Sequence, residues 1–234
     1  MQVFYAPGIS GDAHVLDEAE SRHIIRVLRM RTGMKVKLID GKGNLFEGEI
    51  DDDNAKKCTI RITGVNRDYE KRSYRLHLAV SPLKNAERFE WFVEKSVEIG
   101  VDEITPLICH NTEKQSVKPA RLNTIIVSAM KQSVKAYGTR LNDPAYFSDF
   151  ISATHAGNKL IAHCNSSFGR SSIGDACRRN EDAVILIGPE GDFAAEEIRT
   201  ALEKNFTGVH LGNSRLRTET AGIVACHSVY FLNQ

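Results

Sequence analysis

The spacing of apolar and polar positions changes character once along this chain. Early on, Lys35–Asp40 alternates at a period of two, Gly41-Lys42-Gly43 forms a turn, and Leu45–Ile50 and Cys58–Thr63 read as further short strands. Closely spaced short strands punctuated by glycine predict a small β-barrel. A helix precedes them. Asp17 is placed to cap it, Glu20 three residues on completes a capping box, and Ile24, Val27 and Leu28 supply its apolar face. The polar run Asn66–Ser73 reads as a linker, which sets one domain at 1–72 and a second at 73–234.

From Tyr74 onward, strand and helix patterns alternate. Strands are expected over Tyr74–Val80, Glu103–Ile108, Lys159–His163, Ala183–Ile187 and Gly208–Leu211. Helices are expected over Ala86–Gly100, Ala120–Ala136, Ala194–Lys204 and Thr218–Phe231. Ala183–Ile187 is apolar at every position, which suits a strand buried on both faces of a parallel sheet. The alternation predicts an α/β domain with helices covering that sheet.

Composition removes several classes of function. The chain has 234 residues, 41% of them hydrophobic and 26% charged, an ordinary globular balance. No apolar run approaches the ~18 residues that span a bilayer, and Met1–Tyr5 lacks the basic and apolar regions of a secretory signal. Five cysteines, an odd number without a CxxC pair, argue against a disulfide framework and a zinc site, so a reducing cytoplasm is expected. The eight histidines are scattered without metal-ligand spacing, and no metal is expected.

A net charge of +1 gives no general attraction to nucleic acid, so any such case rests on local clusters. One is present. Arg22, Arg26 and Arg29 fall at i, i+4 and i+7 and would share a helix face, with Arg31, Lys35 and Lys37 extending the run. The stripe is either a phosphate-binding surface or a solvated helix face.

Chemistry is concentrated in two loops of the second domain. The strand ending at Ile187 runs into Gly188-Pro189-Glu190-Gly191-Asp192-Phe193, and a helix follows at once. The strand ending at Leu211 runs through Gly212-Asn213-Ser214-Arg215-Leu216-Arg217-Thr218-Glu219-Thr220 into the apolar helix that begins near Ala221. Ligands of parallel α/β sheets bind beyond the carboxyl ends of strands, where both loops would lie. Taken singly, the first is also explained as a strand-to-helix turn capped by Asp192, and the second as a surface pair of Arg217 and Glu219 with Thr218 or Thr220 as helix cap.

Taken together, Ile187-Gly-Pro-Glu-Gly191 and, about twenty residues later, Leu211-Gly212 with Leu216-Arg-Thr-Glu-Thr-Ala221 resemble the SPOUT methyltransferases, and within them the RsmE family. The resemblance extends to His23–Met30, Gly33, Asp40-Gly41, Glu94–Gly100 and Ile104–Leu107. There are departures. Asp192 stands where the family usually has another glycine, Gly212-Asn213-Ser214-Arg215 where it has Gly-Pro-Arg, Lys131-Gln132-Ser133 where it has Glu-Gln-Ser, and Tyr137-Gly138 where an arginine is common.

The resemblance implies a C-terminal trefoil knot, against the usual rule that chains are unknotted. It also implies a PUA-like RNA-binding barrel at the N-terminus. The reaction would be S-adenosylmethionine-dependent methylation of uridine N3 in 16S ribosomal RNA, performed by a homodimer acting on the small (30S) subunit. Cofactor contacts would come from His163, Leu186, Ile187, Gly188, Gly191, Leu211, Gly212, Leu216, Thr218, Thr220 and Ala221. The base that removes the N3 proton would be Glu190 or Glu219, with Arg217 stabilising charge on the uracil oxygens. Arg22, Arg26, Arg29 and Arg31 would contact RNA. Three alternatives stay open: the same fold acting on another base or a ribose 2′-hydroxyl, a non-catalytic PUA-like RNA-binding protein, and a nucleotide-binding enzyme using 187–193 as a phosphate loop. The absence of GxGxxG and GxxxxGK[ST] weighs against the last.

Overall fold

A computed structural model describes residues 2–234. The chain forms two compact units. The first runs through Lys71 and takes in Met130–Gly138, and the second holds Arg72–Ala129 and Thr139–Gln234.

The first unit is a curled five-stranded sheet in the order β1-β3-β4-β5-β2. β1 (Val3–Tyr5) and β2 (Ala13–Val15) are three residues each, too short to show alternation in the sequence. They flank the expected strands β3 (Lys35–Ile39), β4 (Leu45–Asp52) and β5 (Thr59–Asn66). Register shifts at Glu47/Gly48 and Ile50/Asp52 bend the β4–β5 ladder, as bulges do. Phe4, Leu16, Ile24, Val36, Leu38, Ile50 and Ile60 form the core.

The helix before this sheet departs from the expected form. Asp17 does cap α1 (Glu18–Arg22), accepting from the Glu20 amide at 2.8 Å. Glu20 does not complete a capping box, because its Oε1 accepts instead from Lys131 Nζ at 2.5 Å. A π-turn over His23–Val27 then widens the helix, and Arg29 lies beyond it in the left-handed region at φ 56°. The even α-helical spacing that would line up Arg22, Arg26 and Arg29 is therefore broken, and Val27 is 65% exposed instead of part of an apolar face.

Residues 130–138 pack with this unit, and the helix expected to reach Ala136 ends at Ser133. The Gly43 amide donates to the Ala136 carbonyl at 2.9 Å, and the Tyr137 hydroxyl donates to Asp68 Oδ1 at 2.9 Å.

The second unit is a parallel sheet. β6 (Leu76–Val80) leads to α2 (Ala86–Ile99), β7 (Glu103–Ile108) and α3 (Pro119–Ser133), whose last residues belong to the first unit. There follow β8 (Arg140–Leu141), β9 (Ala145–Tyr146), α4 (Phe147–Ser152), β10 (Asn158–Ala162), β11 (Ser171–Ser172) and α5 (Ile173–Ala176). β12 (Ala183–Ile187), α6 (Ala195–Glu203), β13 (Thr207–His210) and α7 (Thr218–Leu232) complete it. The sheet order is β11-β13-β10-β12-β6-β7-β8, with β9 also pairing β7. β12 thus lies between β10 and β6, and all five of its residues are buried, as its unbroken apolar sequence requires. Among the described residues no helix is long and apolar enough to cross a membrane.

At the amino-terminal edge of this sheet, burial pushes the His77 imidazole down to about 4, against a partial opposing pull from Glu103. Its Nε2 bonds Thr105 Oγ1 at 2.7 Å, and its ring meets Phe150 edge-on at 5.3 Å. An unfolded histidine titrates near 6.5. Between those values the unfolded chain binds a proton that the folded chain resists, so stability is complete above pH ~6.5 and falls as pH drops toward 4, by about 3 kcal/mol over the window. Urea unfolding at pH 7 and pH 5 should show about 2 kcal/mol of this loss in the native chain and a smaller one in His77→Gln. Equal losses would remove His77 as the cause.

Candidate functional site

Two strand ends and two loops enclose a cavity of about 430 Å³ in the second unit, a volume typical of small-molecule sites. It opens beyond the carboxyl ends of β10 and β12, where ligands of open parallel sheets bind. Ala162 at the end of β10 and Cys164 just beyond it line the cavity, while His163 between them does not, as continued alternation of the extended chain dictates. The His163 ring is buried, edge-on to Phe168 at 6.2 Å, and burial holds its pKa below the ordinary histidine value. The same alternation operates in β12: Ile187 lines the cavity, and Leu186 packs into the core with Ile161 and Ile198.

The loop after β12 contributes Gly188, Pro189, Glu190 and Asp192. A Cβ on Gly188 would lie 3.0 Å from the Phe193 ring and 3.2 Å from its amide, a tight fit that a side chain could take only if Phe193 gave way by a few tenths of an ångström. Gly191 does not line the cavity, and a Cβ there would make ordinary contacts only. Asp192 is not the helix cap the sequence suggested. The amino end of α6 is held by Glu197, whose Oε2 accepts from the Ala194 amide at 2.9 Å and Oε1 from the His110 amide at 2.8 Å. A carboxylate already occupies that helix end, which weakens the phosphate-loop alternative.

The loop after β13 contributes Arg215, Leu216 and Arg217, and the first turn of α7 contributes Thr218, Glu219 and Ala221. Leu211, Gly212 and Thr220 stand outside the lining. Gly212 adopts φ 109°, where a side chain would strain the turn. Thr218 fastens the two loops together, its hydroxyl donating to the Gly188 carbonyl at 3.0 Å in a buried setting.

Charge in the cavity is balanced and specific. Glu190 is exposed, and its Oε1 accepts from the Lys84 amide at 3.3 Å. Glu219 is only 6% exposed, and its ion pair is with Arg88 at 3.8 Å, not with the neighbouring Arg217. The sequence reading missed Arg88, which reaches the cavity from the first turn of α2. The signal was available: α2 follows the carboxyl end of β6, on the same edge of the sheet as the end of β12. Arg215 and Ala162 were likewise missed as lining residues. Apolar walls from Ile187, Leu216, Ala162 and Ala221 suit a planar heterocycle, while the exposed Glu190 carboxylate suits a cationic group of a cofactor. The residues present therefore fit S-adenosylmethionine.

None of the four arginines of the first unit lines this cavity. Arg22 pairs with Glu18, and Arg31 donates to the Met30 carbonyl at 3.0 Å. Arg26 and Arg29 are exposed and lack an acidic partner among the described residues.

Comparison with known proteins agrees with this geometry. An RNA methyltransferase domain family matches residues 70–230, and an RNA methyltransferase PUA domain family matches residues 16–63. A ribosomal RNA small subunit methyltransferase E from Mesomycoplasma hyopneumoniae is 32% identical, over 73% of this chain and 74% of its own. A probable rRNA-methyltransferase from Porphyromonas gingivalis is 40% identical, with a TM-score of 0.93 over 100% of this chain and 98% of its own. A ribosomal RNA small subunit methyltransferase E from Neisseria gonorrhoeae, solved bound to S-adenosyl methionine, is 27% identical with a TM-score of 0.90, covering 100% of this chain and 98% of its own. The chain belongs to the ribosomal RNA small subunit methyltransferase E family.

Proposed function

We propose that this protein methylates N3 of a uridine in the RNA of the small ribosomal subunit, using S-adenosylmethionine, in the cytoplasm. The observation that carries the reading is the buried Glu219 carboxylate, paired with Arg88, in the wall of a cofactor-sized cavity. When bound, the cofactor supplies an electrophilic methyl group on a sulfonium. Uridine N3 carries a proton and is a poor nucleophile until that proton leaves. Glu219 accepts the proton from N3, and Arg217 lies in the same wall to stabilise the negative charge that spreads onto the uracil oxygens. The N3–CH3 bond forms as the S–CH3 bond breaks, and a neutral thioether leaves. Glu190, exposed at the rim, is the second candidate for the base. Ile187, Gly188, Leu216, Thr218 and Ala221 form the cofactor walls.

Two tests bear directly on this reading. Calorimetry should show one S-adenosylmethionine bound per chain. Mass mapping of small-subunit RNA from cells lacking the gene should show one methyl group missing from a single uridine. A loss at a ribose or at another base would move the chemistry elsewhere.

The trefoil knot belongs to the same proposal. Its support is the placement of the late strand β12 between β10 and β6, together with the Thr218–Gly188 bond that draws the second loop against the first. A homodimer is supported by the outer face of α7, where exposed Phe231 stacks on His227, itself beside Tyr230. Sedimentation equilibrium giving a monomer mass would remove it.

RNA binding by the first unit rests on Arg26 and Arg29. Replacing either with alanine should weaken RNA binding and reduce the slope of log K against log salt by about one. Arg22, already paired with Glu18, should give a smaller change. Unaltered slopes for both Arg26→Ala and Arg29→Ala would exclude the stripe as a phosphate-binding surface.

A further inference from the structure

We infer that Asp192 is a positioning residue that straps the two strand-end walls of the cofactor cavity into one rigid unit. The inference rests on the proposed cofactor reading and deepens it. Asp192 adopts φ 64°, a left-handed conformation that costs most side chains energy and that aspartate tolerates better than most. A residue held there needs compensating bonds, and Asp192 has them on every side. Its Oδ2 accepts from the Cys164 amide at 2.8 Å, beyond the end of β10, and its Oδ1 accepts from the Phe193 amide at 2.8 Å in its own loop. Its amide donates to the Pro189 carbonyl at 2.9 Å, and its carbonyl accepts from Asn111 Nδ2 at 3.0 Å. One residue thereby joins the end of β10, the turn after β12 and the segment after β7.

The placement matters because both joined walls line the cavity, through Ala162 and Cys164 on one side and Ile187, Gly188 and Glu190 on the other. Hydrogen bonds from amides to an ionised carboxylate are among the stronger ones. They fix the separation of the walls before anything binds. A ligand then finds the cavity formed and spends less of its binding energy on ordering loops. The consequence falls on cofactor affinity more than on the chemical step, because Asp192 acts through the backbone of its neighbours.

Two variants test the strap. Asp192→Gly keeps the backbone conformation at no steric cost but removes both carboxylate bonds. Asp192→Asn also tolerates the left-handed region and keeps one acceptor, while its amide group faces the other N–H donor. Calorimetry should show the S-adenosylmethionine Kd raised about tenfold in Asp192→Gly and by an intermediate factor in Asp192→Asn. Turnover on small-subunit RNA should show the loss mainly in the cofactor KM, with kcat changing less. Hydrogen exchange at the Cys164 amide should speed up in the unliganded glycine variant and be partly restored in the asparagine variant. Affinities within twofold of the native chain for both variants, or a fall in kcat as large as the rise in KM, would overturn the strap and leave the cofactor reading standing. Failure of the native chain to bind S-adenosylmethionine would overturn both.

Discussion

Glutamine in place of Glu219 is expected to lower the rate of methyl transfer by roughly 10²–10⁴-fold while leaving cofactor binding close to normal, because a positioned base is worth about that much. The side chain is nearly isosteric, so the cavity keeps its shape. What disappears is the capacity to take up the N3 proton. Glu219 suits that task by its setting: it sits in the first turn of α7, is 6% exposed, and faces the same cavity as Arg217. Low exposure strengthens the electrostatic interactions made inside the site, and Arg88 at 3.8 Å supplies the counter-charge. The Arg88 side chain is itself 44% exposed and can turn to water once the carboxylate is gone, so the substitution should fold.

Glu190→Gln is the necessary comparison. Glu190 is exposed and holds only a long bond from the Lys84 amide, so water competes for its charge. Its replacement should cost less than ~10-fold if Glu219 is the base. Single-turnover methylation with saturating cofactor separates the two. A Glu219→Gln enzyme with near-native turnover beside a disabled Glu190→Gln enzyme would transfer the role to Glu190.

The longer elements were legible in the sequence. α2 and α7 fall within one residue of their expected bounds, because a periodic pattern of more than ten residues leaves little freedom in where the helix lies, and β7 and β12 have the bounds expected of short apolar runs. Short elements were not: β1, β2, β8, β9 and β11 hold two or three residues each and are defined by partners remote in sequence. The end of α3 was missed for a similar reason. Val134 leaves the helix at φ 56°, and residues 134–138 are held by bonds to Gly41, Gly43 and Asp68, none of which periodicity can foresee.

The candidate site divides along the same line. Its two loops were legible as motifs, whereas the direction of each side chain depended on strand alternation, which placed Ile187 in the wall and Leu186 in the core. Arg88 pairs with a residue 131 positions away in sequence (219 − 88), and no local pattern encodes such a partner.

Valine in place of Gly222 is expected to destabilise the protein strongly. A Cβ at this position would lie 2.6 Å from Phe92 Cε2 and 2.7 Å from Cδ2, closer than side chains pack. Phe92 is fully buried in α2 and has no solvent to retreat into, so α2 and α7 must separate or the ring must leave its rotamer. Overpacking of this kind costs about 1–3 kcal/mol. Alanine at 222 regains up to about 1 kcal/mol through the backbone preference for helix, so Gly222→Ala should lose little to ~2 kcal/mol. Valine keeps less of that gain and adds two methyl groups, which should carry its loss to ~3 kcal/mol or more. For a chain of this size, 1 kcal/mol shifts Tm by roughly 2–4 °C, so the valine variant should melt about 6–12 °C lower. The decisive measurement is a double-mutant cycle with Phe92→Leu. Leucine leaves a void where the ring stood, so Gly222→Ala should cost less, or even stabilise, in that background. Equal costs of Gly222→Ala in both backgrounds would show that the clash with Phe92 is not what requires glycine here.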